Sequence, residues 1–203
     1  VETRNARIRN LAADRAVSRK DYPEVHRLFD VDVADWRRDL ANTAANEAGL
    51  AVLHSLAWHA QGEPVRAIQS ARKALAGFEA IMRGQPDLEA WFDIAQCHAV
   101  LGNRSACNSA FDKNLASTAA GGNLWALELS RRSRVYLDAL LGDDGVVSEL
   151  ARQSRLPGFF IHDHRVRLEL AHLWDRPEFL ALVADPVSNA PLPLDTPVSG
   201  PPR

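Results

Sequence analysis

Apolar residues along this chain recur at three- and four-residue spacing rather than in alternation, and Ala, Leu, Arg and Glu dominate between them. That is the pattern of amphipathic helices, so the predicted fold class is all-α. In the stretch from Leu50 to Trp58, for instance, Leu50, Leu53, Ala57 and Trp58 fall on one face, and Gln61-Gly62-Glu63-Pro64 then ends one helix and starts another. Gly62 suits the left-handed position after a helix, and Pro64 suits a first turn, where no amide donor is needed. The same grammar returns at Leu101-Gly102-Asn103 and Leu141-Gly142-Asp143, with Asn103 and Asp143 placed to cap the helices that follow.

Gly62, Gly102 and Gly142 stand forty residues apart, an interval of the size expected for stacked helix pairs. A fourth turn, Arg19-Lys20-Asp21-Tyr22, lies about one interval earlier. The spacing predicts helix pairs over 3–19 with 22–29, 33–61 with 64–83, 87–101 with 104–118, and 123–141 with 144–154. The second pair opens either with one long helix or with two broken near Thr43 to Asn46. Past Pro157-Gly158, two short helices are expected, one with Val166, Leu168, Leu170, Leu173 and Trp174 and one with Phe179, Leu180, Leu182 and Val183. They read as a terminal cap over the stacking face of the last pair. The division is a helical domain over 1–184 and a Pro-rich tail over 185–203, extended or disordered, which holds six of the eleven prolines.

The unit Trp91-x2-Ile94-Ala95-x2-His98-x3-Gly102-x4-Cys107-x3-Phe111 resembles the tetratricopeptide repeat (TPR). Large residues fill the space between helices, while Ala95 and Cys107 let the two helices approach. His98 departs from the usual aromatic and Asn114 from the usual small residue. The preceding unit, Ser55-x2-Trp58-x3-Gly62-x4-Ala67-x3-Ala71-x2-Ala74, is a looser match, and the first and fourth are degenerate. In the fourth, a strict forty-residue interval would bury Arg131, Arg134 and Asp138, whereas Leu129, Tyr136, Leu137, Leu140 and Leu141 make the better apolar face. The likeness covers residues 5–155. It implies a right-handed α-solenoid of about four TPR-like helix pairs plus the C-terminal helical cap. It also implies a groove lined by the first helix of each pair, with Asn10, Asp14, Val52, Leu56, His59, Phe92, Gln96 and Ala99 turned into it. In the fourth pair Arg132, Arg134 and Tyr136 are the alternatives. Such a lining suits a partner helix or peptide.

The closing stretch, Leu170-Ala171-His172-Leu173-Trp174-Asp175 followed by Pro177-Glu178-Phe179-Leu180-Ala181-Leu182, resembles the end of repeat regions in bacterial multidomain signalling proteins, among them winged-helix activators and Ser/Thr kinases. This implies that the chain is the interaction or sensing region of a larger regulatory protein. A start at Val1 rather than Met fits an excised domain.

Composition changes this picture little. A net charge of −2 carries no footprint of a nucleic-acid binder, and charges interrupt every helical stretch, so no membrane insertion is expected. Cys97 and Cys107, ten residues apart, match no metal or redox spacing and read as buried thiols. Compartment stays open.

Candidate chemistry is sparse. His162-Asp163-His164, with His172 eight residues further on, could ligate a metal or could be a turn in which Asp163 caps a helix starting near His164; we favour the cap. His54, Trp58 and His59 share adjacent turns without a nucleophile motif. Arg131-Arg132-x-Arg134, backed by Arg152 and Arg155, could clamp an anion or form a solvated face, and we favour the face. Gly121-Gly122-Asn123 reads as a turn and Asp143-Asp144 as a helix start. The reading that results is a non-enzymatic module for a protein or peptide, with no cofactor and no metal. Two alternatives stand beside it: a dimerisation scaffold using Trp125, Leu127 or the cap, and a small-molecule or metal-binding sensor or enzyme centred on His162 and His164.

Overall fold

The computed structural model describes residues 12–36, 43–84, 90–156, 164 and 167–185, without the side chains of 31–36, 43, 44, 46 and 84. Asn10, His162, Asp163, Val166 and the Pro-rich tail from Pro186 onward lie outside the described residues. The described chain is all-α and contains no strand. Its helices are α1 (12–18), α2 (Tyr22–Trp36), α3 (Thr43–Ala60), α4 (Pro64–Gly84), α5 (Trp91–Val100) and α6 (Arg104–Ala120). They continue with α7 (Leu124–Arg132), α8 (Arg134–Leu140), α9 (Val146–Gln153), a 3-10 helix (Leu168–Leu173) and α10 (Pro177–Ala184). None of the described helices is long and apolar enough to cross a membrane.

The turns follow the glycines. Gly62, Gly102 and Gly142 have φ of 75°, 69° and 76°. In each case the glycine amide donates to the carbonyl three residues back and the next amide to the carbonyl five back, as in Gly102 to Ala99 and Asn103 to His98. These paired bonds satisfy carbonyls that the helix end would otherwise leave open. The turn after α1 has the same two bonds, from Lys20 to Val17 and from Asp21 to Ala16, but with a lysine at φ 57°. Gly122, at φ 71°, makes the turn between α6 and α7.

Asn103 caps α6 as expected, its side chain accepting from the Ala106 amide at 3.2 Å, and Asn123 caps α7 in the same way at 3.0 Å. Asp143 does not cap α9. Its carboxylate accepts two bonds, of 2.7 and 2.8 Å, from the Arg104 guanidinium of the preceding turn, and α9 starts only at Val146.

Helices adjacent in sequence pack together, α3 on α4 and α5 on α6 foremost, and first helices of successive pairs also touch, α3 with α5 and α5 with α8. Where α3 and α4 meet, a Cβ added at Gly77 would lie 2.9 Å from the Ala48 Cβ, so glycine sets that separation. The core runs continuously from Val25 and Phe29 through Leu56, Phe78, Ile94 and Phe111 to Leu137, Leu150 and Leu170. Cys97 and Cys107 are free thiols inside it, and burial pushes the Cys97 thiol up to about 12.

Three boundaries differ from expectation. The helix expected to end at residue 29 runs to Trp36, while α3 begins at Thr43, in agreement with the alternative of a break near Thr43 to Asn46. The helix expected over 123–141 is two, because Ser133 interrupts it: its hydroxyl donates to the Ser130 carbonyl at 2.6 Å and its carbonyl takes the Tyr136 amide in a tighter turn. That break rotates α8 relative to α7, which buries Val135, Leu137 and Leu140 while Leu129 stays 44% exposed. Arg134 and Asp138, which the strict interval would bury, pair with each other at 2.6 Å. Of the two short helices expected as a cap of the last pair, the second is α10, which packs on α9, whereas the first is a 3-10 helix that packs on α3 and α8.

Two glycine substitutions separate the two roles. Gly102→Ala meets open space but must hold a left-handed backbone, and is expected to cost about 1–2 kcal/mol. Gly77→Ala gains about 1 kcal/mol of helix propensity. Overpacking against Ala48 costs about 1–3 kcal/mol, so its net effect is also loss. Urea unfolding midpoints of the two variants check both; a stabilising Gly77→Ala contradicts the close approach.

Candidate functional site

A segment of this same chain lies against α3, α5 and α8, and three of the expected groove residues meet it. From His164 to Asp175 that segment meets the helix pairs in reverse order. The His164 ring lies 5.7 Å from that of Tyr136 on α8, with Nδ1 3.3 Å from the Tyr136 hydroxyl. Gln96 on α5 donates its amide to the Glu169 carboxyl at 2.7 Å. The His172 ring stands edge-on to His59 on α3, with centroids 6.4 Å apart. Asp175 pairs with Lys20 in the turn after α1 at 2.6 Å.

These contacts differ in weight. Lys20 and Asp175 are exposed, and such pairs contribute about 0–1 kcal/mol. Gln96 and Glu169 are 5% and 4% exposed. Removing one partner there strands a buried polar group, at a cost of about 1–3 kcal/mol or more. Burial holds the Glu169 carboxyl above its ordinary range, against the lowering effect of nearby Arg167 and the Gln96 amide. Leu168, Leu170, Ala171 and Leu173 are buried around it, and the Trp174 indole donates to the His164 carbonyl at 3.3 Å.

Of the residues expected in the groove, Tyr136, Gln96 and His59 therefore touch the segment. Val52, Leu56 and Ala99 are buried in the core. Phe92 is half-buried, its ring 6.4 Å from Phe111. Asp14 is exposed on α1. Arg132 reaches back along α7 to Glu128 at 3.0 Å, and Arg134 to Asp138. With Arg152 paired to Glu149 at 2.6 Å, three members of the arginine cluster face carboxylates of their own helix or the next turn. Among the described residues no group of three or more His, Cys, Asp or Glu is placed to hold a metal.

A second polar cluster joins α2 to α3 beside a cleft of about 600 Å³ lined by Glu47, Trp58, Arg66, Ser70 and Lys73 among others. His26 Nδ1 lies 2.6 Å from His54 Nδ1, His54 Nε2 lies 3.1 Å from Asp30, and the Gln61 amide lies 2.9 Å from His26 Nε2. One proton arrangement satisfies the whole chain. His54 donates from Nε2 to Asp30 and accepts at Nδ1 from His26, whose Nε2 accepts from Gln61. Both rings are then neutral, with every ring nitrogen engaged. Adding a proton would break a bond, in keeping with His26 being pulled down to about 4 by burial first and by His54 next. The His26 ring also lies against Trp58, centroids 3.9 Å apart and the planes tilted by 30°, and the Arg66 guanidinium lies 4.7 Å from the Trp58 ring.

Sequence reasoning singled out His54, His59 and Gln96 but missed Glu169 as the partner of Gln96, His26 and Asp30 as those of His54, and the pair that Lys20 makes with Asp175. One signal was present: Glu169 is a lone acid between Leu168 and Leu170 in an apolar run.

Comparison with protein-family models, with curated proteins and with solved structures finds no match.

The two clusters give pH dependences of opposite sign. His26, depressed to about 4 in the folded chain, contributes stability present above 6.5 and lost as pH falls toward 4. Glu169, raised, favours the folded chain below 4.5 and penalises it as pH rises. Between pH 5 and 6.5, stability of Glu169→Gln is therefore expected to climb more steeply than that of the unaltered chain, and that of His26→Phe less steeply. Each slope change is bounded by about 1.4 kcal/mol per pH unit for one proton. Urea midpoints across that range measure it, and parallel slopes in all three proteins contradict these assignments.

Proposed function

We propose that this chain is a non-enzymatic helical-repeat module that binds a protein or peptide segment, as the interaction or sensing region of a larger bacterial signalling or regulatory protein. In this reading the helix pairs form a right-handed α-solenoid of the TPR-like kind, and the face of α3, α5 and α8 receives the partner. The observation that carries the reading is that this face already receives a non-repetitive segment through side chains, one from each pair. Recognition by first-helix side chains spaced along a stack suits an extended or short helical peptide better than a compact ligand. The buried Gln96 amide adds selectivity, since a site built to hydrogen-bond a group rejects analogues that lack it.

A selection of displayed peptides against the unaltered chain tests the reading. Selected peptides are expected to bind saturably, and to bind at least tenfold more weakly to Phe92→Ala and to Gln96→Glu, with thermal unfolding showing both variants folded. Selected peptides indifferent to both substitutions contradict the site, and failure to select any saturable binder contradicts the module.

The dimerisation reading has one observation in its favour. Helix α7 buries none of its residues, and Leu124, Trp125 and Leu129 are 80%, 54% and 44% exposed. Clustered apolar surface of that kind marks association sites. A dimer through α7 predicts a mass that rises with concentration and falls to the monomer in Trp125→Glu; a concentration-independent monomer ends that reading.

A further inference from the structure

The segment on the first-helix face has features that a mere piece of core does not require. Among its described residues it buries a carboxyl, that of Glu169, where an apolar residue of similar size would pack at lower cost. Its internal bonds are local, Leu170 to Arg167, Trp174 to Ala171 and Arg176 to Leu173, so its backbone takes no part in the ladders of the helix pairs. Its contacts with Tyr136, Gln96, His59 and Lys20 are made by side chains, ordered along the face. Lys20 adds a second, independent observation. It occupies the left-handed position held by glycine in the turns at 62, 102 and 142. A lysine there costs about 1–2 kcal/mol of backbone strain. What its side chain supplies is a charge at the end of the face, meeting Asp175.

We propose that His164 and residues 167–176 occupy a peptide-recognition groove as a ligand in cis, and that the partner is a segment of the same chemistry that displaces them. That partner is an apolar stretch carrying one carboxyl group for the Gln96 amide and, six residues further on, a second carboxylate for Lys20. The inference rests on the module reading above and adds the partner's class and the competition that regulates its access. The partner enters by side-chain exchange: Leu168, Leu170 and Leu173 give way to its own apolar residues, and Glu169 to its carboxyl. The helix pairs keep their own hydrogen bonds throughout.

The test uses the full chain and a fluorescent peptide of residues 164–176. Leu170, fully buried, is replaced in the chain by Asp to expel the segment. The peptide is expected to bind Leu170→Asp at least tenfold more tightly than the unaltered chain, where the tethered segment competes. A peptide with Ala in place of Glu169 is expected to bind Leu170→Asp at least tenfold more weakly. A Leu170→Asp chain that keeps its helical circular dichroism and shows neither difference overturns the proposal. Should that variant lose its helical signal, amide exchange on the unaltered chain decides instead. The amides of Leu170, Trp174 and Arg176 are expected to exchange through an opening shallower than that of α3 to α6, and exchange only with global unfolding overturns the proposal. A selected peptide that binds the unaltered chain while those three amides stay protected leaves the module reading standing and removes the ligand in cis.

Discussion

A carboxyl group shut away from water constrains much of this structure. Beside a bond from its own backbone, Glu169 is held by the amide of Gln96, from a helix 73 residues earlier in the chain. Burying a carboxyl is unfavourable unless its partner is fixed, so the bond sets where the segment can lie along the first helices. The leucines on either side then have one register in which to pack, and His164, His172 and Asp175 fall opposite Tyr136, His59 and Lys20. The exposed pair at Lys20 could not fix this alone, because a screened surface ion pair contributes too little.

The helix pairs supply the frame for that register. Left-handed glycines end α3, α5 and α8 at regular intervals, so successive first helices emerge side by side and touch. The interval is kept even where the helix itself is broken, since Ser133 divides the fourth pair yet Gly142 still ends α8 on schedule. Arg104 and Asp143 tie two successive turns together, using the residue that might be expected to cap α9. At the other end, α2 is joined to α3 by the Asp30–His54–His26–Gln61 chain, a polar connection with no spare proton site.

The sequence made the helices and turns legible for local reasons. Gly62, Pro64, Gly102, Asn103 and Gly142 each act within a few residues of themselves, and each does locally what its chemistry predicts. Asp143 failed as a cap because a guanidinium thirty-nine residues away offered a better partner, which no local rule contains. The candidate site was legible on one side only. Helical phase and the TPR resemblance pointed to Gln96, His59 and Tyr136, but what meets them is set by tertiary contact. The apolar spacing of Leu168, Leu170 and Leu173 looked like an ordinary helix capping the stack. It is a 3-10 helix, whose tighter winding and local bonds let a short segment lie on α3 and α8. The His26–His54 contact joins two helices and was likewise invisible to any pattern within one of them.

The central claim is that this segment lies across the first helices of its own chain, and one proximity reports it most directly. His59 and His172 lie far apart in sequence with ring centroids 6.4 Å apart. Replacing both with cysteine, His59→Cys with His172→Cys, and oxidising dilute protein is predicted to give a disulfide within one chain, while Cys97 and Cys107 stay buried and unreacted. Peptide mapping that finds the 59–172 link in monomeric protein agrees with the account. A folded double variant that stays reduced at those positions, or links only between chains, contradicts it.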